Sequence, residues 1–318
     1  MRNQQQVLKM VQDYIAKEIF PGANFAIIEN EKVTEFVLGN AAILPKEVVL
    51  SAGEYWDLAS VTKVVGTGTA VINLVFDGVF ELDVPAQKYY PAFADSSVSV
   101  RQLLTHTSGI NPFIPHRDQL SADELKQAIN HIQVTDDKNF HYTDINFILL
   151  GFMLEEYYGK KLDEIFFTQV FKKWEMNETT FGPVSHAVPT SYDLPVGIVH
   201  DPKARVLGVE CGSAGLFSTM SDLTAFVKGY FAEEKYIKLL ANYTSVAKKR
   251  SLAWDLSAKS NDWLLHTGYT GTFILLNPRA KKAVIFLSNR VHLKDEREKW
   301  IKARDLLINL LLENLSDE

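Results

Sequence analysis

The chain is poor in cysteine and in long apolar segments. Among its 318 residues Cys211 is the only cysteine, so an intramolecular disulfide is excluded. The N-terminus lacks the continuous apolar segment of a signal peptide, and the helical spacing of its apolar residues predicts an amphipathic helix instead. Because such segments accompany export and disulfides accompany oxidising compartments, a cytoplasmic location is expected.

Membrane-spanning and nucleic-acid-binding features are scarce as well. The longest apolar run, 64–76, holds about 13 residues and contains Gly66 and Gly68, so it is too short to cross a bilayer and no membrane span is expected. The two glycines are expected to let another backbone pack closely. The net charge is −6 and the basic residues do not form a stripe, so nucleic acid is not an expected partner.

Several catalytic signatures are also missing. No His-Glu-x-x-His motif or comparable ligand cluster occurs, so neither a metal nor another cofactor is expected. No Gly-x-Ser-x-Gly motif occurs, which argues against the α/β-hydrolase route to an esterase. Cys211 lies in no nucleophile signature, and a buried structural cysteine is expected there.

The order of the predicted elements indicates one sheet built from both ends of the chain. Residues 24–42 read as a hairpin, and three further strands are predicted at 263–269, 272–278 and 282–290. The intervening chain is mostly helical by its capping signals and apolar spacing. One helix is expected to begin at the serines 97 and 99 and to end at Gly109, a second to open with a capping box at Ser121 and Glu124, and a third to be capped through Thr219 and Asp222. The predicted fold is of the α+β type, an antiparallel β-sheet flanked by helices on both faces with an inserted helical lobe.

This organisation also predicts the domain boundaries. The sheet lobe is expected to be discontinuous and to comprise residues 1–76 and 205–318, and residues 77–204 form the helical lobe. A cleft between two lobes is the default location for chemistry.

Ser60 and Lys63 stand three residues apart at the predicted start of an apolar helix. That spacing puts both side chains on one face, so they can touch. A serine hydroxyl becomes a good nucleophile when a neighbouring group takes its proton. A second Ser-x-x-Lys copy, Ser245 to Lys248, lies among basic residues and reads as a solvated turn. Context therefore favours Ser60 over Ser245, although a helix-capping role for Ser60 stays open.

Three motifs in order carry a family resemblance. Ser-Val-Thr-Lys at 60–63, Tyr-Thr-Asp at 142–144 and His-Thr-Gly at 266–268 resemble the signatures of serine β-lactamases and penicillin-binding proteins, in the class C-like branch that includes serine esterases. The likeness extends over residues 26–292. It implies a fold of the same kind as that read from the elements.

The resemblance also implies roles for individual residues. Ser60 would be the acylated nucleophile, Lys63 its proton partner, and Tyr142 the base or proton shuttle. Backbone N–H groups of Ser60 and Tyr269 would form an oxyanion hole. The residues implied to bind the substrate are Asp144, His266, Thr267 and Gly268.

Two positions depart from the family pattern. Asp144 stands where the family usually has asparagine, and a carboxylate there is expected to raise the pKa of Lys63, to keep it charged, and so to leave Tyr142 as the acceptor of the serine proton. His266 replaces the usual lysine, which removes a permanent cation for a substrate carboxylate and favours neutral esters or amides. Arg290 is an alternative partner for such a carboxylate.

The sequence thus predicts a serine hydrolase that works through an acyl-enzyme on a small-molecule ester, amide or peptide-like substrate. Esterase or amidase activity comes first, D-alanyl carboxypeptidase activity second, and β-lactamase activity third. The alternative is a silent or slowly acylating penicillin-binding-like sensor or scaffold. The oligomeric state is left open.

Overall fold

The computed structural model describes residues 4–257 and 262–315. Within these ranges the strands follow the chain as β1 (Gly22–Glu29), β2 (Lys32–Ala42), β3 (Val48–Val49), β4 (Trp56–Asp57), β5 (Thr180–Phe181), β6 (Leu216–Ser218), β7 (Asp255–Leu256), β8 (Leu264–Thr267), β9 (Phe273–Asn277) and β10 (Lys282–Ser288). The helices are α1 (Gln4–Ala16), α2 (Thr69–Phe76), α3 (Val100–Thr105), α4 (Ala122–Asn130), α5 (Ile145–Tyr158), α6 (Leu162–Phe166), α7 (Pro202–Leu207), α8 (Met220–Ala232) and α9 (Arg297–Leu315).

A seven-stranded antiparallel sheet forms the centre of the molecule. Its order is β3-β2-β1-β10-β9-β8-β7, and the β1–β10 pair joins the two ends of the chain with Ala26 opposite Ile285. The predicted hairpin, the three predicted C-terminal strands and their union in one sheet are all confirmed. In a smaller sheet of order β4-β6-β5, strand β4, which precedes Ser60, pairs with β6, and β6 pairs with β5.

Helices cover both faces of the large sheet because its central strands are apolar on both sides. Ile27 belongs to the core shared with α1 and α9, whereas its neighbour Ile28 belongs to the core shared with α2, α5 and α8. The predicted fold class is therefore confirmed. The predicted lobe boundaries stay a prediction.

Local capping signals were also correct. Ser121 and Glu124 form the predicted capping box at the start of α4, and the Thr219 hydroxyl accepts a hydrogen bond from Asp222 N–H at the start of α8. Helix α3 ends at Thr105, before the expected limit at Gly109, because His106 takes a left-handed conformation with φ 56°.

The helix that follows Ser60 has an irregular beginning. A 3₁₀ turn at Ala59–Val61 leads into a π-helical turn at Lys63–Gly68, which continues as α2. A Cβ added at Gly66 would lie 2.5 Å from the Phe166 ring, and one added at Gly68 would lie 2.7 Å from Ala253 Cβ. The expectation that these glycines admit another backbone was wrong, because their close neighbours are side chains and the helix's own Lys63 carbonyl.

The same helix satisfies a length and composition test for a membrane span. The window Ala59–Phe76 covers 18 residues, more than the apolar run counted in the sequence, and 78% of it is buried inside the protein. It is the core helix of the fold, packed on α5 and on the inner face of the sheet.

Candidate active site

Ser60 follows a backbone segment that is held from two sides. Ala59 has φ 45°, a conformation that residues other than glycine rarely adopt. The Asp57 carboxylate accepts hydrogen bonds from Ala59 N–H at 2.8 Å and from His200 N–H at 2.8 Å. Asp57 is buried, and that burial raises the pKa of its carboxyl to about 6. These bonds fix the strained residue directly before Ser60.

Lys63 is fully buried and donates three hydrogen bonds. Its Nζ lies 2.8 Å from Ser60 Oγ, 2.7 Å from Asp144 Oδ1 and 2.9 Å from the Ser213 carbonyl. An ammonium has three N–H donors, so these acceptors use all of them. Burial by itself lowers the pKa of Lys63, but the charge and hydrogen-bonding interactions with Asp144 and Tyr142 together outweigh it and raise that pKa above its ordinary value. The expected effect of Asp144 on Lys63 is confirmed.

Asp144 binds a second lysine that the sequence analysis did not single out. Its other carboxylate oxygen lies 3.0 Å from Lys203 Nζ, and Lys203 also contacts Asp201 at 3.0 Å. Burial raises the pKa of Asp144, but Lys63 and Lys203 together outweigh that effect and hold the pKa below its usual value. Asp144 is therefore an anion between two cations.

Tyr142 lies beside Lys63 and is 41% exposed. Lys63 Nζ is 5.2 Å from the centre of the phenol ring. The buried His106 ring packs against the same phenol at a centroid distance of 4.4 Å. His106 Nδ1 accepts from Thr143 N–H and lies 2.9 Å from Asn146 Nδ2. Because burial lowers the pKa of His106 well below its ordinary value, the ring supports Tyr142 as a neutral imidazole.

The turn between β8 and β9 is docked onto the segment before Ser60. The Thr270 hydroxyl donates to the Asp57 carbonyl at 2.9 Å, and the Thr272 hydroxyl donates to the Leu58 carbonyl at 3.1 Å. A Cβ at Gly268 would lie 2.7 Å from the Leu58 carbonyl oxygen, so glycine is required there. The docking brings Tyr269 beside the Ser60 segment.

Two backbone donors are available at this junction. In residues 4–257 and 262–315, the N–H groups of Ser60 and Tyr269 have no hydrogen-bond acceptor. An unpaired backbone N–H is a strong donor that a ligand oxygen can accept from. Two free donors on either side of one docked turn fit the predicted oxyanion hole.

His266 and Thr267 are placed differently from the other predicted site residues. The His266 ring is 2% exposed and lies near Trp254, and burial lowers its pKa well below the ordinary value. Thr267 Oγ1 accepts from Arg304 Nη1 at 3.5 Å, on the face that carries α9. Neither side chain contacts Ser60 or Lys63, and their role in substrate binding stays a prediction.

Arg290 and Cys211 are both committed elsewhere. Arg290 is buried, donates to the Tyr269 carbonyl at 2.7 Å and pairs with Asp295, so it is not open to a substrate carboxylate. Cys211 is buried, and burial raises the pKa of its thiol to about 11, which leaves a poor nucleophile.

The cleft beside Tyr142 holds a cavity of about 140 Å³. Its lining residues are Pro112, Arg117, Tyr142, Thr143, Asp144, Ile145 and Lys203. Another cavity, of about 290 Å³, lies between α1 and segment 290–300 and includes neither Ser60 nor Tyr142. Across the part of the chain that the structure describes, no three His, Cys, Asp or Glu residues are grouped as a metal site.

Comparison with known proteins agrees with the three motifs. The beta-lactamase family profile matches residues 7–308. A candidate D-alanyl-D-alanine carboxypeptidase of Escherichia coli K12 is 23% identical over 358 aligned positions, which cover 90% of this chain and 82% of that protein.

Solved structures show the same fold at low sequence identity. A class C beta-lactamase superimposes with a TM-score of 0.77 at 18% identity, over 99% of this chain and 97% of its own. A beta-lactamase/D-alanine carboxypeptidase from Yersinia pestis gives 0.76 at 18% identity, over 98% and 99%. With the family profile spanning nearly the whole sequence and Ser60 and Tyr142 both lying beside Lys63, the chain belongs to the beta-lactamase family.

Proposed function

We propose that this protein is a serine hydrolase in which Ser60 is acylated and then released by water. One observation carries the proposal: the Lys63 ammonium is fixed 2.8 Å from Ser60 Oγ at the beginning of a buried helix. A buried ammonium next to a hydroxyl is costly to place and stabilises negative charge on that oxygen as its proton leaves. The hydroxyl is thereby prepared to attack a carbonyl carbon.

Tyr142 is the proposed carrier of the proton. Lys63 cannot accept it while all three of its N–H groups are donated, and the Asp144 charge favours that state. In acylation the Ser60 oxygen bonds to the carbonyl carbon, Tyr142 takes the serine proton as it gives its own phenol proton to the leaving oxygen or nitrogen, and the bond between that atom and the carbonyl carbon breaks. In deacylation water attacks the same carbon, Tyr142 takes a proton from the water as it gives its own to Ser60 Oγ, and the bond between Ser60 Oγ and the carbonyl carbon breaks, which regenerates Ser60.

The oxyanion that forms in each step is proposed to bind to the N–H groups of Ser60 and Tyr269. Both groups lack an acceptor in the described ranges. One such donor is typically worth about 2.7 to 4 kcal/mol of transition-state stabilisation. The Thr270 and Thr272 bonds set the distance between these donors.

A small neutral ester or amide is the first proposed substrate. His266 is a buried neutral ring where the family usually has a lysine, and Arg290 is committed to Asp295. A D-alanyl peptide is the second proposed substrate. It is favoured by the names of the relatives and by Arg117, which lines the cleft and could bind a terminal carboxylate. The cytoplasmic location stays a prediction.

Labelling with a fluorophosphonate tests the proposal. We expect a mass addition on Ser60 of the wild-type protein and none in Ser60→Ala. Turnover is then measured on p-nitrophenyl esters of rising chain length, nitrocefin and a D-Ala-D-Ala peptide. Addition followed by turnover supports the hydrolase. Stable addition without turnover supports the slowly acylating sensor, and no addition supports the silent scaffold.

A further inference from the structure

We propose that Lys203 is a positioning residue that balances the charge of Asp144 and thereby sets the pH range in which Ser60 is acylated. The inference rests on the proposed function. It extends that function to a lysine that lies in none of the three family motifs and lines the cleft cavity.

The contacts of Lys203 are those of a built charge pair. Its Nζ lies 3.0 Å from Asp144 Oδ2, on the carboxylate oxygen that Lys63 does not use. The Lys203 side chain is 7% exposed and the Asp144 side chain 25% exposed, so water screens this pair only in part. Burial lowers the pKa of Lys203, but Asp144 and Asp201 outweigh it and keep that pKa raised.

Lys203 is itself anchored by the start of α7. Asp201 contacts Lys203 Nζ at 3.0 Å through one oxygen and caps the helix by accepting from Ala204 N–H at 3.0 Å through the other. Pro202 occupies the first turn and fixes the local backbone. The lysine is therefore held toward Asp144 by a short rigid segment.

The pair explains how the chain accommodates an aspartate in place of an asparagine. An asparagine is neutral, whereas Asp144 adds a negative charge beside Lys63. Lys203 adds the compensating positive charge, so the two residues together leave the net charge of the site unchanged. Without Lys203, Lys63 would be the sole counter-ion of Asp144 and would be held more tightly away from Ser60.

Three variants test the pair on acylation of Ser60 by a p-nitrophenyl ester. In Lys203→Met a cation is lost, so the neighbouring acidic groups of the site release their protons less readily. The acidic limb of the kcat/KM profile should therefore move to higher pH. In Asp144→Asn an anion is lost, and the limb should move to lower pH. We expect Lys203→Met to lose about tenfold or more in kcat/KM at pH 7, and Asp144→Asn/Lys203→Met to regain most of that loss.

The controls separate charge from folding. Lys9→Met removes the same charge from exposed α1, on the other side of the sheet, and should move neither limb nor rate. Lys203→Arg keeps the charge and should retain the wild-type limb. An unchanged limb in Lys203→Met, or a double variant no faster than Lys203→Met, overturns the inference.

A substrate-free measurement keeps the test independent of the proposed function. In protein labelled at the aspartate γ-carbons, the Asp144 signal is assigned by its loss in Asp144→Asn and titrated by NMR. Its pKa should be higher in Lys203→Met than in wild type, and an equal pKa overturns the inference. If none of the tested substrates acylates Ser60 of the wild-type protein, the proposed function fails. This titration still decides whether Lys203 compensates the charge of Asp144.

Discussion

Individual residues determine the direction of proton transfer in this site. Lys63 donates to Ser60, Asp144 and the Ser213 carbonyl at once, and each bond requires a hydrogen that the lysine must keep. Burial lowers its folded-state pKa, but the interactions with Asp144 and Tyr142 together exceed that effect and raise the pKa. In the proposed mechanism Lys63 therefore acts as a fixed cation, and a separate group carries the serine proton.

Tyr142→Phe tests that assignment. Removing the phenol oxygen should lower the acylation rate of Ser60 by about 10² to 10⁴, the usual contribution of a positioned general acid or base. The Tyr142 ring is 41% exposed, so the free energy of unfolding should change by less than about 0.5 kcal/mol. Burst kinetics with a p-nitrophenyl ester and urea unfolding measure the two quantities.

Tyr157→Phe is the matched control, since Tyr157 is 48% exposed and packs on Phe80 and Tyr158 in α5. It should acylate at the wild-type rate. An equal rate in Tyr142→Phe and Tyr157→Phe would remove the phenol from the reaction and reopen Lys63 as the base.

At the residue scale, the sequence predicted the groups that lie in short motifs. Lys63 is three residues from Ser60 and 81 residues from Asp144, and the structure joins it to both by hydrogen bonds. Lys203 was not predicted as a site residue, because its role follows from its geometry relative to Asp144, and no spacing rule connects residues 59 positions apart. Asp57 was also missed. Its carboxylate accepts hydrogen bonds from backbone N–H groups, and because every residue type except proline has one, such partners leave no pattern in the sequence.

At the element scale, the helix from Ala59 to Phe76 shows how packing overrides helical regularity. Its sequence predicts one continuous helix, but residues Lys63–Gly68 form a π-helical turn. π-helical turns are uncommon and occur often at functional sites. Gly66 faces the Phe166 ring from this turn, so close packing on α6 accompanies the irregular segment that carries Lys63.

Gly66→Ala should destabilise the protein, although alanine favours helices. The new Cβ would lie 2.5 Å from the buried Phe166 ring, and overpacking a core typically costs about 1 to 3 kcal/mol. That exceeds the gain of up to about 1 kcal/mol from helix propensity. Urea unfolding of the two proteins measures the difference.

Phe166→Leu provides the compensating change. It makes room beside residue 66, so Gly66→Ala/Phe166→Leu should be more stable than the sum of the two single effects predicts. Strictly additive losses would show that the contact with Phe166 does not limit residue 66.

Thr270→Val tests the docking of the β8–β9 turn. The Thr270 hydroxyl donates to the Asp57 carbonyl at 2.9 Å and is buried, so valine would leave that carbonyl unpaired at a cost of about 1 to 3 kcal/mol. If the turn places the Tyr269 N–H, kcat should fall more than KM rises. Steady-state kinetics and urea unfolding give both results.

Thr168→Val is the control for loss of a threonine hydroxyl. Its Oγ1 donates to the Glu164 carbonyl at 2.8 Å on the exposed surface, where water can replace it. Stability and kcat should remain near wild type. A Thr270→Val protein with lower stability and unchanged kcat would restrict that bond to a structural role.

The sequence predicted most of the elements because their signals are local. The central strands were found from apolar runs, and α4 and α8 from capping residues. Short strands β4, β5 and β6 have two or three residues each and were not predicted. Their pairing depends on contacts between segments far apart in the chain, such as Trp56 with Ser218, and that information is absent from periodicity.

At the scale of the whole molecule, buried titratable groups oppose one another in their effect on stability. Burial lowers the pKa of His266 well below its ordinary value, so the native protein lacks a proton that the unfolded chain binds below about pH 6.5. Its contribution to stability is present above that pH and lost as the pH falls. Asp57 has the opposite sign, because its folded pKa of about 6 exceeds its unfolded value.

Asp57→Asn and His266→Gln should therefore diverge on acidification. Between about pH 6 and 4 wild type gains stability from protonating Asp57, so Asp57→Asn should lose stability relative to wild type at about 1.4 kcal/mol per pH unit. Below about pH 6.5, His266→Gln should gain relative to wild type at about the same slope. Urea unfolding of all three proteins at half-unit steps from pH 6.5 to 4.5 measures both differences. Because each variant is compared with wild type at every pH, other titrating groups cancel, and parallel curves for the three proteins would contradict the opposing roles of these two residues.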